Sequence, residues 1–97
     1  MTYEVELDPG AERDLIDAFD WYEQQSDGLG TEFLRQVTVQ RDKLARNPLI
    51  HATDYANIRR AFVGRFPYAL HFEIEERTVR ILACLHFRQS PTRWPGA

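Results

Sequence analysis

A single cysteine, Cys84, among 97 residues excludes an internal disulfide and any cysteine-based metal cluster. It lies inside the apolar run Ile81–Leu85, where a buried, inert thiol is expected. Long hydrophobic runs are missing as well, and nothing approaches the roughly 20 apolar residues that span a bilayer. The opening MTYEVELDPG has neither a basic region nor an apolar stretch, so no signal peptide is expected and the chain is placed in the cytoplasm, away from membranes. Repeats, low-complexity tracts and linkers are also absent. One domain over residues 1–97 is the reading, long enough for a single core.

Charge of each sign is scarce in one half. Residues 1–56 carry five Lys or Arg against twelve Asp or Glu, a net of −7, whereas residues 57–97 carry seven against three, a net of +4. All seven cations of the second half are arginine, which favours planar, bidentate contacts over a loosely solvated face. The sequence pI near 5.5 argues against a protein that coats nucleic acid indiscriminately. The acidic half is helical by pattern and the basic half is strand-like, so the field of the molecule is expected to be two-sided.

Thr2–Leu7 alternates, with Tyr3, Val5 and Leu7 on one side, and reads as a short half-buried strand. Asp8-Pro9 ends it and opens a helix, with Asp8 at the N-cap and Pro9 at the first helical position. Ala11, Leu15, Ala18 or Phe19, and Tyr22 recur at helical spacing, while Glu12, Asp17, Asp20 and Gln24 make a wet acidic face. Ser26–Gly30 breaks this helix. A second runs from about Thr31 to Arg46, and Asn47-Pro48 ends it. Leu49–Asn57 shows no period and reads as a connector.

Three strand-like runs follow: Ile58–Phe66, Tyr68–Ile74 and Val79–Phe87, with a turn at Phe66-Pro67 and a polar hairpin loop over Glu75–Thr78. Strict alternation puts Tyr68, Leu70, Phe72 and Ile74 toward the core and Ala69, His71 and Glu73 away from it. On the last strand Val79, Ile81, Ala83 and Leu85 take one face, and Arg80, Leu82, Cys84, His86 and Arg88 the other. The expected fold is α+β in the order βααβββ, with a helical hairpin packed on one face of a four-stranded, antiparallel-rich sheet whose other face is partly open.

Several words in this order carry a family resemblance: Leu44-Ala45-Arg46-Asn47-Pro48 at the end of the second helix, Arg59-Arg60 leading a strand, and Gly64-Arg65-Phe66-Pro67-Tyr68 at a turn. Leu82-Ala83-Cys84-Leu85-His86, followed by Arg88, Pro91 and Trp94, completes the set. Together they resemble the ParE/RelE superfamily, the toxin halves of bacterial type II toxin–antitoxin pairs, across nearly the whole chain. The RFPY turn and the HxRxxPxxW ending look more like ParE-type members than ribonuclease members. The resemblance implies a growth-blocking protein silenced by a cognate antitoxin of ribbon-helix-helix type, in a hetero-oligomer. Its implied target is DNA gyrase.

The residues leave other chemistries open. Metal-independent RNA cleavage, the ribosome-dependent activity of other superfamily members, needs a base, an acid and a cation for the phosphorane. His86, Arg88, His71 and Glu73 are the candidates, with His71 and His86 expected on one face of adjacent strands. The bland alternative has each histidine half-burying its ring and bonding a neighbour. Departures from the ribonuclease pattern are Phe87 after His86, no tyrosine in the tail, and an acidic pI. Candidates for target contact are Arg59, Arg60, Arg65, Arg80, Arg88, Arg93 and Trp94; solvated charge blunting a sheet is their plain reading. Trp94 is expected to fold back onto the sheet, and Trp21-Tyr22 to serve core and edge. No cofactor or metal is expected. A third reading is an interaction module whose toxicity is weak or lost.

Overall fold

The computed structural model describes residues 2–89. In chain order the elements are β1 (Glu4–Leu7), α1 (Pro9–Gln25), α2 (Leu29–Arg46), a short 3-10 turn (Pro48–Ile50), β2 (Thr53–Tyr55), β3 (Ile58–Phe62), β4 (Tyr68–Glu75) and β5 (Thr78–His86). The fold is α+β, with the helical hairpin packed against one sheet of order β1-β5-β4-β3-β2. β1 runs parallel to β5 and every other pair is antiparallel.

The expected four strands become five. The extra one, β2, lies in the stretch read as a connector, where three residues are too few to show alternation. It pairs with β3 through an irregular register, and Ala56 turns the chain with a left-handed φ of 47°. β3 is shorter than its apolar run suggested. It ends at Phe62 because Gly64 takes φ 53°, and Val63 and Tyr68 then close the turn through a backbone bond of 3.0 Å.

α1 spans the residues expected, but Asp8 does not cap it with its side chain. The carboxylate instead lies 3.9 Å from Arg80 Nε. α2 begins two residues before Thr31, because a side chain from α1 supplies the cap. Glu23 accepts backbone N–H bonds from Gly28 (3.3 Å), Gly30 (2.8 Å) and Thr31 (3.3 Å), satisfying donors that a helix start leaves open. Gly30 lets the helices meet: a β-carbon there would lie 2.6 Å from the Phe19 carbonyl oxygen.

The core joins the hairpin to the sheet through four aromatic rings. Tyr22 of α1, Phe33 of α2, Phe66 of the β3–β4 turn and Tyr68 of β4 pack with centroid distances of 5.0 to 6.0 Å, mostly edge to face. Leu15, Val37, Leu44, Leu70, Phe72, Val79, Ile81 and Cys84 complete it.

One irregularity redirects half of β5. Phe72 lies opposite Ile81 but His71 lies opposite Ala83, so Leu82 is an extra residue in β5. Before the bulge Val79 and Ile81 face the helices. After it, Cys84 and His86 do so, opposite Leu70 and Tyr68, and Ala83 and Leu85 turn to the outer face. The strict alternation expected for this strand is therefore corrected at Leu82. The outer face is also less open than expected, since Ala69, His71, Ala83 and Leu85 are all buried.

Candidate functional site: the groove beside the first helix

β1 pairs with β5 only as far as Ile81, which leaves the next stretch of β5 with a bare edge on that side. α1 crosses this edge. The Cys84 N–H donates to Asp14 Oδ2 at 3.0 Å, so a helix carboxylate stands in for the missing strand. The small side chain of Ala18 leaves space one turn further along α1. The result is a groove of about 580 Å³ lined by Asp14, Asp17, Ala18, Trp21 and Tyr22 on one side and Pro67, Tyr68, Cys84, His86 and Gln89 on the other.

The lining is aromatic and acidic. Asp14, Ala18 and Tyr22 form one row at four-residue spacing, with Asp17 and Trp21 in the next. Tyr22 is 8% exposed, and its hydroxyl makes no hydrogen bond with a described residue. Burial raises its phenol above the ordinary tyrosine value, and Cys84 adds to this. Burial likewise raises Tyr68, with Tyr22, Cys84 and the negative charge of Asp14 contributing. The Cys84 thiol is pushed far up by burial and by Asp14, so it stays protonated and is no nucleophile.

His86 closes the groove. Its ring meets the Tyr68 ring edge to face at 5.2 Å. Nδ1 accepts the Arg88 backbone N–H at 3.0 Å, so the neutral ring carries its proton on Nε2. The His86 N–H donates to Gln89 Oε1 at 2.7 Å.

The other catalytic candidates lie elsewhere. His71 sits on the outer face and is 2% exposed. Its Nδ1 is 2.8 Å from Tyr55 Oη, and burial, aided by Arg60, lowers its pKa to about 4. The shared facing expected for His71 and His86 is overturned by the bulge: they lie on opposite sides of the sheet. Glu73 lies opposite Arg80.

The arginines are also dispersed. Arg59 donates to the His51 carbonyl oxygen. Arg60 forms a close ion pair with Asp54. Arg80, paired across strands with Glu6 and Glu73, lies within 4 Å of carboxylates on Asp8 and Glu75. Arg65 and Arg88 form no ion pair with a described residue and lie near one end of the sheet, where the Phe87 N–H donates to the Pro67 carbonyl oxygen. Beside them Phe62 and Phe87 are 53% and 54% exposed, with ring centroids 5.3 Å apart. Arg93 and Trp94 lie outside the described residues.

Sequence reasoning passed over Asp14, Asp17, Trp21, Tyr22 and Tyr68 as a set. Asp17 read as part of a wet face, and the aromatics as core and edge. The available signal was the interleaving of Asp14, Asp17, Trp21 and Tyr22 on one side of α1. Among the described residues no group of three or more His, Cys, Asp or Glu could hold a metal ion. No described helix is long and apolar enough to cross a membrane.

The family model for the ParE toxin of the type II toxin–antitoxin system parDE matches residues 5–91. The chain belongs to that toxin family. A solved structure described as the chromosomal ParDE toxin–antitoxin system from P. aeruginosa superposes with a TM-score of 0.75 at 16% sequence identity, over 87% of this chain and 95% of that one. No curated protein matches the chain in sequence. Membership of a toxin–antitoxin family implies an antitoxin as partner.

Proposed function

We propose that this protein arrests growth by binding a protein target, DNA gyrase, and that a cognate antitoxin silences it in the cytoplasm. The observation that carries a binding mechanism over a catalytic one is the separation of the two histidines. His71 is buried and neutral on the outer face, while His86 lies in the groove on the helix side. An acid, a base and a phosphate clamp do not converge around either. Of the five candidate arginines described, Arg59, Arg60 and Arg80 engage the protein's own acceptors, which leaves Arg65 and Arg88, with the Phe62–Phe87 pair, as the contact patch for the target. Exposed aromatics beside arginine are the residue types that anchor protein interfaces.

A supercoiling and cleavage assay with purified gyrase tests this. Trapped cleavage complexes and lost supercoiling are expected, both weakened at least tenfold by Arg65→Ala with Arg88→Ala. Full gyrase activity at saturating toxin would reject the target. Because His86 and Arg88 are close, the same preparation is to be tested on mRNA in a translating extract. Cleavage there, abolished by His86→Ala, would establish the ribonuclease reading instead.

A further inference from the structure

We infer that the outer face of the sheet is the seat of this chain's own C-terminal segment, residues 90–97, with the Trp94 ring lying over Ala69 and Ala83. The inference does not depend on the target proposed above.

The observation that demands a cover is burial without a covering element. On β4 and β5, Ala69, His71, Ala83 and Leu85 point away from the helices, and they are 1%, 2%, 6% and 2% exposed. Ile58 of β3 is likewise buried, and the four apolar residues of this set stand outside the core cluster that the helices share with the sheet. Among the described residues both helices pack on the other face, and β2 lies beside β3 instead of over it. An antiparallel sheet with one face in water leaves the side chains there in contact with solvent, and alanines are too short to shield one another. An apolar body therefore lies over this face.

The polar residues at the same place agree. Tyr55 and His71 share a bond of 2.8 Å and Arg60 pairs with Asp54, yet each of Tyr55, Arg60 and His71 engages a further partner. A tryptophan offers a π face to a guanidinium, an edge to neighbouring rings and one N–H donor. Register sets the shape of the seat. Ala69 lies opposite Leu85 and Phe62, and Ala83 opposite His71, so two methyl groups sit on a diagonal among larger side chains. That shallow dip fits a flat bicyclic ring.

Connectivity names the occupant. Before Thr2 the chain has one residue, and Tyr3 is tied to the Ala45 carbonyl oxygen at the end of α2, on the helix side. After Gln89 it has eight, with Trp94 as their one aromatic. The Gln89 N–H donates to the His86 carbonyl oxygen at 3.0 Å, so the chain turns at the end of β5 instead of running on past the sheet. Extended, the stretch from Gln89 to Trp94 reaches about 16 Å, against roughly 15 Å for the strand spacings from β5 to β2. Pro91 and Pro95 favour extended backbone in the residues before them. A seated Trp94 is an anchor of the fold and not a contact for the target, and the outer face is closed to partners. The exposed Phe62–Phe87 pair stays open at its end.

NMR of the purified toxin tests the seat. Nuclear Overhauser contacts are expected from the Trp94 indole protons to the methyl groups of Ala69 and Ala83, which its ring current should also displace upfield. Trp94→Leu should abolish that displacement while leaving the resonances of Tyr22 and Phe33 in place. A folded wild-type toxin without these contacts would overturn the inference. So would contacts that arise only between labelled and unlabelled copies, which would make a second molecule the occupant, or only after antitoxin is added. Fluorescence gives a check that needs no loss of the ring. With Trp21→Phe, the remaining Trp94 should be quenched by acrylamide about fivefold less than the exposed Trp21 that remains in Trp94→Phe. Equal quenching of the two would show Trp94 in water and reject the seat.

Discussion

At the scale of single residues, His71 shows how burial overrides intrinsic chemistry. In the folded chain its pKa is lowered to about 4, first by burial and then by Arg60, with Asp54 opposing. The unfolded chain binds a proton near pH 6.5 and the folded chain does not, so the unfolded state gains as pH falls through that window. Stability supplied by the neutral ring is thus present above about pH 6.5 and is lost toward pH 4. The difference is on the order of 2–3 kcal/mol. Urea midpoints measured from pH 7 to pH 4.5 should fall in the wild type, and His71→Gln should flatten that dependence. Cys84 gives a second check. Its buried, protonated thiol should react with a disulfide reagent only as fast as the protein opens, so labelling should rise sharply across the urea transition.

At the scale of elements, the helical hairpin depends on two contacts between α1 and the start of α2. Glu23 holds three backbone N–H groups, and Glu23→Ala should cost about 1–2 kcal/mol in urea unfolding. Gly30→Ala drives a methyl into the Phe19 carbonyl and should cost about 1–3 kcal/mol, although alanine is the better helix former. A neutral or stabilised Gly30→Ala variant would show that the helices can separate freely. The bulge at Leu82 works at the same scale. One extra residue takes His86 from the outer face to the groove and leaves His71 behind. Both helices, and the approximate positions of four of the five strands, were legible in the apolar periods. The bulge was not, because its cause is a pairing offset between two strands and neither sequence run shows a break.

At the scale of the whole molecule, the two-sided charge seen in the sequence takes a different form in space. The sheet is not a uniformly basic surface, since acids from β1, the β1–α1 junction, β2 and β4 stand beside Arg60 and Arg80. Target contact should therefore depend on a few exposed side chains more than on a broad field. Gyrase inhibition is expected to weaken less than tenfold between 50 and 200 mM salt, far below the loss for a protein neutralising six or more phosphates. A thousandfold loss in that range would indicate a phosphate-dominated partner. Arg80→Ala should leave inhibition within about twofold, in contrast to the Arg65 and Arg88 pair.

The sequence alone determined the elements whose signals are local. Pro9 started α1, Asn47-Pro48 stopped α2, and the spacing of Ala11, Leu15 and Tyr22 chose the buried face, because propensity and period act within one or two turns. It also carried the family, through words spread from Leu44 to Trp94. Tertiary structure decided what depends on partners far along the chain. Asp14 reaches Cys84 across 70 positions, and the three-residue β2 exists only because β3 pairs with it. The facing of His86 follows from the offset at Leu82. A groove is made of two surfaces, and the sequence shows each of them without the other.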